Sequence, residues 1–263
     1  MSFRKSAKRW LYGSCPGFAG AFPYFGTRVY FPKGSLSFLA TCDQGIFEAD
    51  NTRLLQGIVR PGTWLFDVGA NIGLMALPVL QGVVDARVLS FEASPNVISF
   101  LKRTISESPY SNRWTVVAKA VGESVGQVAF SLCSPENSLF DGLKDTGRAP
   151  AARQVLVDLT TIDAEWKLLG SPLVSAIKCD VEGAELQVLR GGRECLRATR
   201  PFVLLEWNAT NLSAYNCPAE ALLPFARDAD YGLFSLPHLV QIKSEVDLRL
   251  HMLQTESFLL CPH

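Results

Sequence analysis

Short apolar runs alternate with stretches of helical spacing along most of the chain. The best defined are Trp64 to Val68, Val88 to Phe91, Trp114 to Ala118, Ala176 to Cys179 and Phe202 to Leu205. This alternation predicts a parallel sheet with helices on both faces. Gly232 to Leu236 and Ser257 to Leu260 are two later strand-like runs, and they predict an antiparallel addition at the C-terminal end. A helix is expected from Pro218 to Ala229, with Pro218 near its first turn. Between the third and fourth runs lies Glu123 to Leu159. There Val125 to Leu132 and Gln154 to Leu159 look extended and flank a segment rich in Gly, Pro, Ser and Asn. The pattern reads as an inserted hairpin or lid, and long insertions of this kind make Asn137, Ser138 and Asp141 candidates for substrate contact.

The first run ends in a turn with its own chemistry. Leu65 to Gly73 reads L-F-D-V-G-A-N-I-G, a strand closing on Asp67 and opening into a helix. Gly69 and Gly73 permit positive φ and close backbone approach, and Asn71 is the non-glycine residue that best tolerates a left-handed conformation. A dinucleotide site requires G-x-G-x-x-G, so that the pyrophosphate can sit on the helix N-terminus. Here the order is D-x-G-x-N-x-G, with a carboxylate where anionic phosphates would have to go. An acid at that position suits a cationic ligand such as S-adenosylmethionine, whose ammonium and sulfonium a carboxylate can stabilise. Glu92 closes the next strand about 19 residues past Gly73, the spacing at which an acid reaches ribose hydroxyls.

At 263 residues, 48% apolar and 19% charged, the chain can bury one large core. The expected organisation is a basic N-terminal arm over residues 1–43, packed on one domain of residues 44–263. The arm carries Arg4, Lys5, Lys8, Arg9, Arg28 and Lys33 with no acid through residue 40. Phe3 to Tyr12 also sets cations beside Phe3, Trp10, Leu11 and Tyr12, which gives peripheral contact with a membrane surface as a second reading of the arm. Net charge is zero and the basic residues of the core region are not interleaved with aromatics, so no nucleic-acid partner is expected. The sequence has no apolar run long enough to span a bilayer and no hydrophobic stretch of a signal peptide, and a cytoplasmic location is expected. The seven cysteines are scattered and never spaced C-x-x-C, and the three histidines have no ligand spacing, so no zinc, disulfide or other metal framework is expected. Rim acids could hold Mg²⁺ through oxygen ligands, but no spacing demands it.

A second acidic cluster follows. Ile177 to Gly192 reads I-K-C-D-V-E-G-A-E-L-Q-V-L-R-G-G, a strand ending at Asp180 and a turn at Gly183. In an open α/β sheet, ligands sit outside the carboxyl ends of the strands. Asp180, Glu182 and the similarly placed Glu206 therefore fall on the same rim as Asp67 and Glu92.

Five segments together resemble the FkbM-type S-adenosylmethionine-dependent methyltransferases. They are F-D-V-G-A-N-I-G at Phe66 to Gly73, S-F-E-A-S-P-N at Ser90 to Asn96, L-T-T-I-D at Leu159 to Asp163, the block at Ile177 to Gly192, and R-P-F-V-L-L-E at Arg200 to Glu206. The resemblance implies a class I methyltransferase (Rossmann-like) fold with the hairpin inserted between strands 3 and 4. It places cofactor binding at Asp67, Gly69, Ala70, Asn71, Gly73, Glu92 and Ala93. Ala93 stands where the family commonly has proline. The acid often found after the third strand, near the adenine amino group, is missing at Gly122, and Glu123 is the expected replacement.

The implied reaction is methyl transfer to a hydroxyl of a sugar, polyketide or other secondary metabolite. Such a hydroxyl does not ionise at neutral pH, so a positioned base must take its proton. Asp180 and Glu182 are the expected catalytic residues, with Glu206 or His238 as substitutes. The alternatives are a peptide or amide nitrogen or a carboxylate as acceptor, and a catalytically silent binding protein that keeps the fold. Intact Asp67, Gly69, Asn71, Gly73 and Glu92 argue against the silent protein, and the glycine spacing argues against a nicotinamide-dependent oxidoreductase.

Overall fold

The computed structural model describes residues 3–263. In chain order its strands are β1 (Ala21–Tyr24), β2 (Thr27–Tyr30), β3 (Trp64–Val68), β4 (Arg87–Phe91), β5 (Trp114–Val117), β6 (Ala120–Val121), β7 (Gly126–Leu132), β8 (Arg153–Thr160), β9 (Val174–Cys179), β10 (Phe202–Glu206), β11 (Tyr231–Ser235), β12 (Val240–Ile242) and β13 (Ser257–Pro262). Eight of them form one sheet in the order β12-β11-β13-β10-β9-β3-β4-β5. The five runs read as strands from the sequence are its parallel centre, β10, β9, β3, β4 and β5.

Side chains alternate across this sheet with period two. Leu65 and Val88 join an apolar layer on one face, while Phe66, Val68, Leu89 and Phe91 join the layer on the other. Helices cover both layers, so the central strands are apolar on both sides, as parallel strands require. Register fixes the rim: Val68 lies opposite Phe91 and Cys179, and Cys179 opposite Leu205. The residues that follow, Gly69, Glu92, Asp180 and Glu206, thus leave the sheet at one level.

The C-terminal antiparallel addition is present, but it is not a simple edge. β13 inserts between β10 and β11 and pairs antiparallel with both, and a short further strand, β12, forms the edge. The expected helix at Pro218 to Ala229 starts as a 3₁₀ turn, Ala219–Ala221, and becomes α-helical only over Leu222–Asp228. Pro224 sits in that first helical turn, where its missing N–H breaks no intrahelical bond.

The insertion is a hairpin, as read from the sequence. β7 and β8 pair antiparallel along their length and β6 adds to β8 in parallel, making a separate three-stranded sheet. Before the first central strand come a helix Phe3–Ser14, the hairpin β1–β2 and a helix Leu36–Gln44. Phe22, Phe31 and Phe38 of this region pack together, Phe31 stacking on Phe38 with ring centroids 4.1 Å apart. They share one apolar layer with Leu65, Ile72 and Val88, so the hairpin and the second helix are part of the core. Among the described residues no helix is long and apolar enough to cross a membrane.

Candidate functional site

β3 ends in a turn whose glycines are held by sterics. Gly69 has φ +75, and a Cβ there would stand 1.9 Å from the carbonyl oxygen of Asp180. The two strand ends therefore touch backbone to backbone. Asn71 is left-handed at φ 49, and its side-chain oxygen accepts from its neighbour's amide, Ile72 N, and from Ser37 Oγ. Gly73 faces away from the rim, and a Cβ at that position would lie 2.6 Å from the Trp114 ring, so its role is close helix-to-sheet packing.

A cleft opens above this turn, with a cavity of about 60 Å³. Val68, Gly69 and Asn71 line it from β3, Glu92 and Ala93 from β4, Lys119 to Val121 from beyond β5, and Asp180 to Glu182 from β9. The insertion closes it with Phe130, Ser138, Leu139 and Asp141 to Leu143. Glu92 Oε2 accepts from Asn71 N at 2.8 Å and Oε1 accepts from Ser94 N at 2.7 Å. Burial pushes its carboxyl up to about 7, against the two amides, which favour the charged form. Asp141 accepts from Ser94 Oγ, Asn96 Nδ2 and Cys133 N, tying the insertion to the loop after β4. Of the three insertion residues read as substrate contacts, Ser138 and Asp141 line the cleft; Asn137 turns to Ser134 Oγ instead.

Asp67, Ala70 and Gly73 do not line the cleft. Asp67 is fully buried beneath the turn and neither of its oxygens has a hydrogen-bond partner. The cation beside it is Lys178, with Nζ 3.8 Å from Asp67 Oδ1, 3.3 Å from Asp180 Oδ2 and donating to Gly69 O at 2.8 Å. Burial disfavours the charge on Lys178, but Asp180 and Asp67 outweigh it and hold the lysine above its usual range. Burial likewise opposes ionising Asp180, and Lys178 overrides it, so the Asp180 carboxyl titrates low.

Asp180, Glu182 and Glu206 converge, with carboxylate oxygens all within 4.8 Å of one another. That spacing would admit a divalent cation with oxygen ligands, but Lys178 and Arg148 already flank the cluster. Arg148 reaches in from the insertion, 3.2 Å from Glu182 and 3.4 Å from Glu206, and stacks on the Phe140 ring. Glu182 adopts a left-handed backbone at φ 57 inside the D-V-E-G turn. Glu185 holds that turn by accepting from Val181 N and Gly183 N. Burial, with Asp180 close by, pushes the Glu182 carboxyl up to about 8. Glu206 is raised as well, by burial and by the charges of Asp180 and Glu182, and it is not part of the cleft lining.

Glu123 does not take the place of the missing acid: it is exposed and pairs with Arg190 at 3.7 Å, away from the cleft. The backbone before it is tightly packed, since a Cβ on Gly191 would stand 2.0 Å from Gly122 O. His238, a substitute only if the pocket geometry brought it closer, is exposed in the turn between β11 and β12 and borders neither the cleft nor the acid cluster.

Lys178, Arg148 and Glu48 are site residues that the sequence did not disclose. Glu48, left-handed at φ 43, precedes helix Ala49–Ile58. Burial raises its carboxyl, and the charge of Asp180 adds to the rise. Its Oε2 accepts from Asn51, which also donates to Ser257 Oγ. Glu48 borders a second, open groove of about 480 Å³ on the same rim, lined also by Gln44, Asn51, Leu236, Pro237, Thr255 and Ser257. Lys178 stood inside a quoted motif; Arg148 and Glu48 carried no local signal.

The chain is similar to known methyltransferases. Methyltransferase sdnD of Sordaria araneosa is 24% identical over 176 residues, covering 57% of this chain and 68% of that protein. The 2-O-methyltransferase NoeI of Sinorhizobium fredii is 24% identical over 187 residues, covering 62% of this chain and 71% of its own length. The crystal structure of methyltransferase FkbM from Methylobacillus flagellatus superposes with a TM-score of 0.48 at 16% identity, over 85% of this chain and 53% of that one; the chain thus spans about half of that structure. The family described as the methyltransferase FkbM domain matches residues 67–232, from the buried acid of β3 into β11. With that match covering more than half of its length, the chain belongs to the FkbM methyltransferase family.

Proposed function

We propose that the chain transfers a methyl group from S-adenosylmethionine to a hydroxyl on a small-molecule or carbohydrate acceptor, with Glu182 as the base. The observation that carries this reading is that Glu92 and Glu182 line one cleft. One acid is suited to ribose hydroxyls, and the other has a carboxyl raised to about 8, near the pH at which a base is most effective.

The residues fit the cofactor. Glu92 keeps free lone pairs beyond its two backbone donors, and Ala93, Val121, Phe130 and Leu143 give an apolar wall for a flat base. Gly69 and Asn71 allow close backbone approach. When bound, the cofactor supplies an electrophilic methyl carbon on a sulfonium. The chain's own part is to hold the acceptor oxygen in line, exclude water with the insertion, and take the hydroxyl proton on the Glu182 carboxylate. Asp180, kept ionised by Lys178, is the weaker base and orients the acceptor. The relative named as a 2-O-methyltransferase supports a hydroxyl acceptor.

Calorimetric titration with S-adenosylmethionine, S-adenosylhomocysteine and NAD tests the cofactor, and a labelled methyl donor offered to methyl glycosides and to peptide amides tests the acceptor. Binding of the first two ligands only, with label on glycosides, is expected. Binding of NAD alone overturns the reading, and label on amide nitrogen overturns the hydroxyl assignment.

The Glu92 carboxyl makes cofactor affinity depend on pH. Ribose hydroxyls donate to the ionised form, so protonation near pH 7 removes an acceptor. S-adenosylhomocysteine should bind roughly three- to tenfold more weakly at pH 6 than at pH 8. Calorimetry on Glu92→Gln should show weaker binding that no longer changes over this range.

A further inference from the structure

The N-terminal helix Phe3–Ser14 turns Phe3 and Trp10 outward. No residue of the helix is buried, and the side resting on the body is mixed: Lys5, Arg9, Leu11, Tyr12 and Gly13 are half-buried, Tyr12 packs against the core, and Arg9 pairs with Asp43 of helix Leu36–Gln44. At 100° per residue, Phe3, Ala7, Trp10 and Ser14 form a stripe on the opposite side. Phe3 is 87% exposed and Trp10 63%. Past the helix Phe18 is 51% exposed, and a groove of about 570 Å³ runs beneath it, lined by Tyr12, Phe22 and Arg28 among others.

A helix that served only to cover the body would place all its large aromatics inward. This one packs Tyr12 against the core but leaves Phe3 and Trp10 in water, near the exposed cations Arg4 and Lys8. The helix carries no acid of its own, and Asp43, the first acid in the chain, is paired with Arg9. Exposed aromatics beside cations, with no acid on the same helix, match a surface that is negative at its outer layer and apolar a few ångströms below. We propose that this face docks the protein on an anionic lipid surface, with Phe3, Trp10 and Phe18 entering the headgroup region and Arg4 and Lys8 meeting the headgroup charges. The support is shared with the candidate site: helix Leu36–Gln44, on which the arm rests, touches the cofactor turn through Ser37 and borders the rim groove through Gln44.

The test is co-sedimentation of the full chain with vesicles of phosphatidylcholine alone and of phosphatidylcholine with one quarter phosphatidylglycerol. Binding to the anionic vesicles only, weakening as salt rises, is expected. The Phe3→Ser, Trp10→Ser double variant should lose at least about tenfold in partitioning, and Arg4→Gln with Lys8→Gln roughly fivefold per cation removed. Circular dichroism should match the parent in each case, and the charge pair keeps the test decisive if the aromatic pair does not fold. Failure of the parent to bind anionic vesicles, or unchanged partitioning in the folded variants, overturns the proposal. So does a dimer by light scattering that the aromatic variant dissolves, since the face would then be covered by a second copy of the chain.

Discussion

Glu182→Gln is expected to lower turnover by about 100- to 10,000-fold while leaving S-adenosylmethionine affinity within a few-fold of the parent. Glutamine preserves the shape of the side chain and its place on the cleft, so the loss isolates proton acceptance. The pH profile gives a second, independent reading. A base must be ionised to act, and burial and Asp180 raise the Glu182 carboxyl to about 8. Turnover by the parent should therefore climb with pH until it levels above about 8, with roughly a tenth of the base ionised at pH 7. The climb should vanish in Glu182→Gln. A parent profile already flat above the ordinary carboxylate range would transfer the role to Asp180, whose carboxyl Lys178 keeps low. Arg148 refines the expectation, because it pairs with Glu182 at 3.2 Å and favours the ionised form. An acceptor entering the cleft must coexist with that ion pair or displace it.

What the sequence disclosed and what it withheld divide along one line. The parallel strands, the glycine turn after β3 and the acids at the ends of β4, β9 and β10 each rest on fewer than ten consecutive residues, where hydrophobic period and turn chemistry act directly. The β7–β8 hairpin was legible for the same reason, as two extended runs around a polar segment. Asp67 shows where the local reading stops. Its motif announces a carboxylate at the strand end, but whether that carboxylate meets ligand or protein depends on Lys178, 111 positions later in the chain and brought alongside by the β3–β9 pairing. Glu48 and Arg148 belong to segments with no periodic signal and reach the rim through tertiary contacts alone. Glu123 fails in the opposite direction: a plausible substitute by position, it pairs with Arg190 outside the cleft. β13 was read as strand, yet its place between β10 and β11 is a choice among edges that no local pattern encodes.

Lys178→Met should cost about 3–5 kcal/mol of folding stability, the magnitude expected when one partner is removed from a buried ion pair. Lys178 is buried with side-chain exposure of 7%, and Asp67 beside it is fully buried with no hydrogen-bond donor to either oxygen. Methionine fills a similar volume, so the loss is electrostatic. Burial holds the Asp67 carboxyl above its unfolded value even beside the ammonium; without it Asp67 rises further and Asp180, low in the parent, rises above its unfolded value as well. Such a group costs nothing while both states are protonated, and the cost grows as pH rises past the unfolded value near 4. The deficit measured by urea unfolding should accordingly be smallest well below pH 4, where Asp180 is protonated even beside Lys178, and grow to its full size by pH 7. Adding Asp67→Asn to Lys178→Met should recover part of the loss at pH 7, because it removes one of the stranded charges. A deficit under about 1 kcal/mol at pH 7, or one that does not change with pH, would show that the three charges do not depend on one another. The same lysine donates to Gly69 O at 2.8 Å. The variant should therefore also loosen the turn over the cofactor cleft and weaken S-adenosylhomocysteine binding at pH values where the fold persists. The lysine thus has two structural tasks: it lies beside two neighbouring acids, and it ties the β9 strand to the glycine turn that borders the cleft.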